Sequence, residues 1–201
     1  MNTKKIAIAI DGPAGAGKSS ISKVVANELG YLYIDTGSMY RGVTWAVLDS
    51  QIDVKDQAAV EALLPSLNLT LEPTATACKV YIKGKDVTSL IRQQQINDNV
   101  STIASYKGVR QYLVERQQEM AAVGGVILDG RDIGSVVLPN AELKIYLTAS
   151  VDARAKRRWL DREESPLVCV EDAVVVDSSN MNFDETVAYI LNLVQETINH
   201  E

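Results

Sequence analysis

From Ile6 to Ile10 the chain reads Ile-Ala-Ile-Ala-Ile, with no polar residue to serve a solvated face. A run of this kind, beginning at Lys5, predicts a strand buried on both sides, as inside a parallel sheet. Tyr31–Ile34 predicts a second, short strand, and Val126–Leu128, Leu143–Leu147 and Val174–Val176 predict three more buried strands. Between them the period changes. Ile21, Val24, Val25 and Leu29 form one apolar stripe on a helix over Lys18–Leu29, which Gly30 ends. Further helices are expected from Asp35-Thr36-Gly37 to about Val47, then over Asp56–Leu64, with Pro65 marking the end. Ile96–Ala104, Val109–Met120, Val151–Leu160 and Asp184–Ile198 complete the set. Five strands alternating with helices predict an α/β fold, a parallel sheet with helices on both faces. One region departs from this rhythm. Leu67, Leu69 and Leu71 alternate with polar residues, as do Val80 and Ile82, and Gly84-Lys85-Asp86 supplies turn chemistry. A small antiparallel sheet inserted at 67–88 is the expectation.

Composition narrows the class. The 201 residues are enough for one domain with an elaboration and a sizeable core. Lys and Arg number 20 against 26 Asp and Glu, a net charge of −6. That acidic balance argues against polymeric nucleic acid as a partner, which needs a dense basic face. Cys78 and Cys169 form no metal-spaced motif and are expected as small apolar core residues. No signal-peptide pattern precedes the first strand and no apolar run reaches membrane-spanning length, so a cytoplasmic protein with no membrane partner is expected, as a monomer.

The chemistry concentrates where the first strand ends. Gly12-Pro13-Ala14-Gly15-Ala16-Gly17-Lys18-Ser19 fits the phosphate-binding loop G-x-x-x-x-G-K-[ST], placed between a strand and a helix as that loop requires. Its glycines let backbone N–H groups turn inward on a polyphosphate, and the following helix adds its positive end. Lys18 is expected at the β/γ-phosphates and the Ser19 hydroxyl on Mg²⁺. A nucleoside triphosphate is the implied ligand. Two further segments leave strands at the same edge, where ligands of open parallel sheets bind. Asp129 ends an apolar run like the acidic residue that organises Mg²⁺, although an aspartate there also serves as a turn cap. Arg41 and Arg131 suggest a second anion site.

At these residues the chain resembles the bacterial-type cytidylate kinases. The resemblance runs through Ile6–Leu160 and resumes at Arg162–Val176. It is carried by Ile10–Ser19, by Tyr33-Ile34-Asp35-Thr36-Gly37-Ser38-Met39-Tyr40-Arg41 and by Asp129-Gly130-Arg131-Asp132-Ile133-Gly134, then by Gly84–Thr88 and Ala141–Ser150. It implies the P-loop NTPase fold of nucleoside monophosphate kinases and ATP-dependent phosphorylation of CMP and dCMP. It also implies a core at 1–35 and 105–201, a monophosphate domain at 36–104 and a mobile lid near 155–167. By resemblance, Gly12, Pro13, Ala14, Gly15, Ala16, Gly17, Lys18, Ser19 and Ser20 cradle the ATP phosphates. Arg41 and Arg131 clamp the acceptor phosphate, Ser101, Arg110 and Asp132 read the cytosine, and Tyr40 packs beside the acceptor. The chemistry of the base agrees: an aspartate accepts from the exocyclic amino group while arginine and serine donate to the acceptors. No catalytic base is required, because the acceptor phosphate is already an anion. The single histidine, His200, is expected as an exposed tail residue.

The match breaks after Leu160. Family members carry a longer segment there, with further arginines and an aspartate, whereas here Ala155–Leu160 runs into Asp161–Leu167. Either the chain lacks that lid, leaving a weak kinase or an ATP-binding protein without turnover, or a flexible stretch is missing from the sequence as read. The second reading is favoured because both flanks look ordinary; an intact mass above 21.9 kDa would support it. Arg162 is a third expected phosphate clamp, and Arg157 and Arg158 are expected either at ATP or on a basic exposed helix face.

Overall fold

The computed structural model describes residues 5–74, 78–151 and 168–200. They divide into two compact units, Met1–Ile34 with Ala121–Glu201, and Asp35–Met120.

The first unit is built on a five-stranded parallel sheet flanked by helices. Its strands are β1 (Ala7–Asp11), β2 (Leu32–Asp35, whose last residue opens the second unit), β6 (Val126–Asp129), β7 (Leu143–Thr148) and β8 (Val174–Asp177), in the order β2-β6-β1-β7-β8. The apolar run expected to be doubly buried is the central strand. Ile8 of β1 pairs with Ile127 on one side and Leu143 on the other, and Ile6, Ile8 and Ile10 are fully buried. Ile21 and Val25 of helix α1 (Lys18–Leu29) join this core. Val187, Ile190 and Val194 of the C-terminal helix, α6 (Phe183–His200), join it too. Helix α1 has the predicted ends and stops at Gly30.

Some expectations fail here for reasons of position. Val174–Val176 does not form a doubly buried strand: β8 is the outer strand of the sheet, and Val175 is 57% exposed. Cys169 is exposed rather than in the core, and Cys78 is only half-buried at the start of β4 (Cys78–Ile82). His200 is exposed, as expected, but it closes α6, where its position suits the negative end of the helix, instead of lying in a tail. Of the helix expected at Val151–Leu160, all but Val151 lies outside the described residues.

The second unit contains α2 (Thr36–Asp49), α3 (Gln57–Leu63), α4 (Gln94–Ser105) and all but the last residue of α5 (Lys107–Ala121). Between α3 and α4 stands the expected antiparallel sheet: β3 (Thr70–Pro73), β4 and β5 (Lys85–Asp86). Helix α2 approaches it closely at Gly42, where a Cβ would lie 3.2 Å from Val80. The hairpin turn falls one step earlier than the sequence suggested. Lys83 and Gly84 turn the chain with φ of 51° and 77°, while Lys85 and Asp86 pair with Ile82 and Tyr81. Two residues of positive φ match the twist of a tight hairpin, which a longer turn would not. Among the described residues no helix is long and apolar enough to cross a membrane.

Candidate functional site

In the first unit, β1 runs into the glycine-rich loop and α1 leaves it. Gly12 has φ of 143°, and a Cβ there would fall 2.0 Å from the Leu147 carbonyl oxygen of β7. The first glycine is therefore demanded by the neighbouring strand itself. Gly17 occupies the N-cap of α1 with φ of 92° and brings no side chain to cap it, so the helix presents its positive end bare of any side-chain cap. The Lys18 ammonium donates to the carbonyl oxygens of Gly12 (2.6 Å) and Pro13 (2.9 Å), lying across the loop it belongs to.

At the second residue of the helix, the Ser19 hydroxyl donates to Asp129 Oδ2 at 2.6 Å. The Tyr33 hydroxyl of β2 donates to Asp129 Oδ1 at 2.9 Å. Asp129 is 4% exposed at the end of β6, and these bonds turn its carboxylate toward the phosphate loop. Ser19 and Asp129 together offer hard oxygen donors, the chemistry Mg²⁺ selects. Among the described residues no cluster of three His, Cys, Asp or Glu could hold a metal. The pair thus fits an ion whose remaining positions come from nucleotide phosphates and water.

Past Asp129 the chain passes Gly130, whose N–H bonds the Ile10 carbonyl at 3.1 Å, then half-buried Arg131 and Asp132. It enters a π-helical turn over Ile133–Val137. Asp11, the last residue of β1 and 5% exposed, accepts from the N–H groups of Ile133 (2.8 Å) and Gly134 (2.7 Å) at that turn. Burial pushes the Asp11 carboxyl above its ordinary range, against the pull of these two bonds.

In the second unit Asp35 caps α2. Its Oδ1 accepts the Ser38 N–H at 3.0 Å and its Oδ2 the Ser38 hydroxyl at 2.6 Å. The Arg92 guanidinium reaches both Asp35 (3.4 Å) and Ser38 Oγ (3.1 Å) from the short helical turn Leu90–Arg92. Burial alone would raise the Asp35 carboxyl, but the Ser38 hydroxyl and the Arg41 and Arg92 charges hold it below its ordinary range. Arg41 and Tyr40 lie on α2, Ser101 on α4 and Arg110 on α5, all half-buried.

The expected residues therefore fall into two sets. Gly12–Ser20, Asp129, Arg131 and Asp132 belong to the first unit; Tyr40, Arg41, Ser101 and Arg110 belong to the second. Arg157, Arg158, Arg162 and the expected lid at 155–167 lie outside the described residues. Sequence reasoning singled out neither Asp11, Tyr33 nor Arg92. Asp11 had a signal: a charge directly following a run that must be buried. Arg92 had none, because its partner Asp35 lies 57 positions away.

Comparison with known proteins bears on the whole arrangement. A family model described as cytidylate kinase matches residues 8–165. A cytidylate kinase of Ligilactobacillus salivarius is 44% identical over an alignment of 219 residues, covering 96% of this chain and 98% of the relative. The Bacillus subtilis cytidylate kinase is 42% identical with the same coverage of both. An alignment of 219 positions exceeds the 201 residues of this chain, so at least 18 of them hold relatives' residues with no counterpart here. A solved sugar kinase from Janibacter has a TM-score of 0.51 at 12% identity, covering 96% of this chain and 95% of that one, a likeness of fold alone.

Proposed function

This chain belongs to the cytidylate kinase family, and from that premise we propose that it transfers the γ-phosphoryl group of ATP to CMP and dCMP. The products are ADP with CDP or dCDP. The observation that carries the reading is the loop geometry: Lys18 across the loop, and Ser19 bonded to the buried Asp129. In the reaction, Lys18 would leave the carbonyls of Gly12 and Pro13 for the phosphates, and the loop N–H groups would neutralise the charge passing between nucleotides. Ser19 and Asp129 would hold Mg²⁺, which supplies charge neutralisation at the donor phosphates.

Arg41 and Arg131 would grip the acceptor phosphate. Asp132 would accept from the cytosine amino group, with Ser101 and Arg110 donating to the ring nitrogen and carbonyl. Uracil reverses two of these positions and leaves groups unpaired, at about 1–3 kcal/mol for each lost partner. The proposal assigns the ATP phosphates to the first unit, in a cytoplasmic monomer. The rival reading, an ATP-binding protein without turnover, rests on the short stretch after Leu160 and is not favoured by the relatives.

The test is ADP formation from ATP and Mg²⁺ with CMP, dCMP, UMP, AMP and GMP offered separately. Turnover confined largely to CMP and dCMP is expected. Absence of turnover with every acceptor, from protein that still binds ATP, would replace the kinase reading with the rival.

A further inference from the structure

Among the described residues three aspartates stand at the residue before a helical turn, and one behaves differently from the others. Asp35 accepts the N–H of Ser38 at 3.0 Å and so caps α2. Asp56 accepts the N–H of Ala59 at 3.0 Å and caps α3. This is the ordinary behaviour of the residue type, whose short carboxylate satisfies the orphan donors of the first turn. Asp132 holds the same position before the π-helical turn Ile133–Val137, yet its side chain makes no capping bond to it.

The donors are taken by another residue. Asp11 comes from β1, 122 and 123 positions away, and uses one oxygen for Ile133 N–H and the other for Gly134 N–H. The carboxylate is buried, so both bonds form where water does not compete. The arrangement also joins segments of different proposed function, since Asp11 directly precedes Gly12 of the phosphate loop and the turn directly follows Arg131 and Asp132.

We propose that Asp11 is a positioning residue that caps this turn in place of Asp132, so that the Asp132 carboxylate is presented to the acceptor base instead of folding back on its own backbone. The inference rests on the reading of Asp132 as a contact of the cytosine amino group. Its consequence is specific. Weakening the remote cap releases an N–H beside Asp132, and the Asp132 carboxylate rotates to satisfy it. Base discrimination falls while the donor site, built by Lys18, Ser19 and Asp129, is kept.

The test uses Asp11→Asn, which preserves shape and one acceptor oxygen but sets an NH₂ group against a backbone N–H. The ratio of kcat/KM for CMP over UMP is expected to fall about tenfold, with KM for CMP raised. The Kd for ATP, measured by equilibrium binding, holds or tightens. In an Asp132→Asn background the same change should lower the ratio no further, since Asp11 acts through Asp132. An unchanged ratio overturns the proposal, as does a loss of ATP affinity equal to the loss for CMP, which would make Asp11 a general support of the loop. If Asp132→Asn alone leaves the ratio intact, the cytosine reading fails and the proposal falls with it. Gly134→Ala provides a second variant should Asp11→Asn fold poorly. Its methyl would make an ordinary contact with Asp11 Oδ2 at 3.4 Å and a tight one with the Lys144 stem at 3.3 Å, so the turn shifts slightly against its cap without a change of charge. A smaller fall in the ratio is expected, and none at all counts against the proposal.

Discussion

Lys18 donates to two carbonyls of its own loop, at 2.6 and 2.9 Å, which keeps a mobile charge at the mouth of the anion cradle before any anion arrives. Exchange of those carbonyls for phosphate oxygens replaces dipole partners with charged ones and strengthens the bonds. Lys18→Ala is therefore expected to lower kcat/KM by about 10²–10³ or more. Its unfolding temperature should stay within a few degrees of the parent, because the side chain is only half-buried. Turnover within a factor of two of the parent would end the assignment. At this scale the sequence was legible where residue type and spacing carry the chemistry, as in the run Gly12–Ser19. It was not legible where a role depends on a distant partner. Ser19 and Asp129 are 110 positions apart, and Tyr33 and Asp129 are 96 apart, so nothing near Tyr33 announces its bond to that carboxylate. Cys169 shows the reverse error: its apolar character suggested burial, and its place in the fold exposes it.

Helix α2 starts where β2 ends because Asp35 stops the strand and caps the helix in one residue. The charges gathered on it have a measurable consequence. Asp35 keeps its proton less readily in the folded chain than in the unfolded one, owing to Ser38, Arg41 and Arg92 outweighing burial. Its contribution to stability is then fully present above the ordinary carboxylate pKa of about 4 and is lost as pH falls through the lower folded value. Asp35→Asn keeps a capping side chain but removes the charge. At pH 7 it should cost about 1–2 kcal/mol, and thermal melts should show the gap from the parent closing as pH falls below about 4. A gap independent of pH would assign the loss to packing. Element boundaries were legible when the signal was local, as at the two ends of α1. The hairpin turn was misplaced by one residue because Lys83 takes a positive φ usually left to Gly or Asn. The exposure of Val175 followed from strand order, which no window of sequence contains.

For the molecule as a whole, a ligand that binds only the folded chain adds stability by mass action. ATP with Mg²⁺ at a hundred times its Kd contributes about 2.7 kcal/mol, or about 5–10 °C in unfolding temperature for a chain of this size. Scanning calorimetry should show that rise in the parent and a much smaller one in Lys18→Ala. An unmoved transition at saturating nucleotide would remove the donor site from the first unit. The sequence alone determined the α/β class, the phosphate loop, the inserted small sheet and the resemblance to cytidylate kinases. Each of these is written in residue type and in spacings of a few positions, which set backbone preference and side-chain face directly. Tertiary structure alone decided the order β2-β6-β1-β7-β8, the meeting of Ser19 and Tyr33 on Asp129, and the capping of one functional segment by Asp11 from another. The last two of these arise from residues 96 to 123 positions apart, brought together by burial of a shared core, and burial depends on the whole chain rather than on any stretch of it.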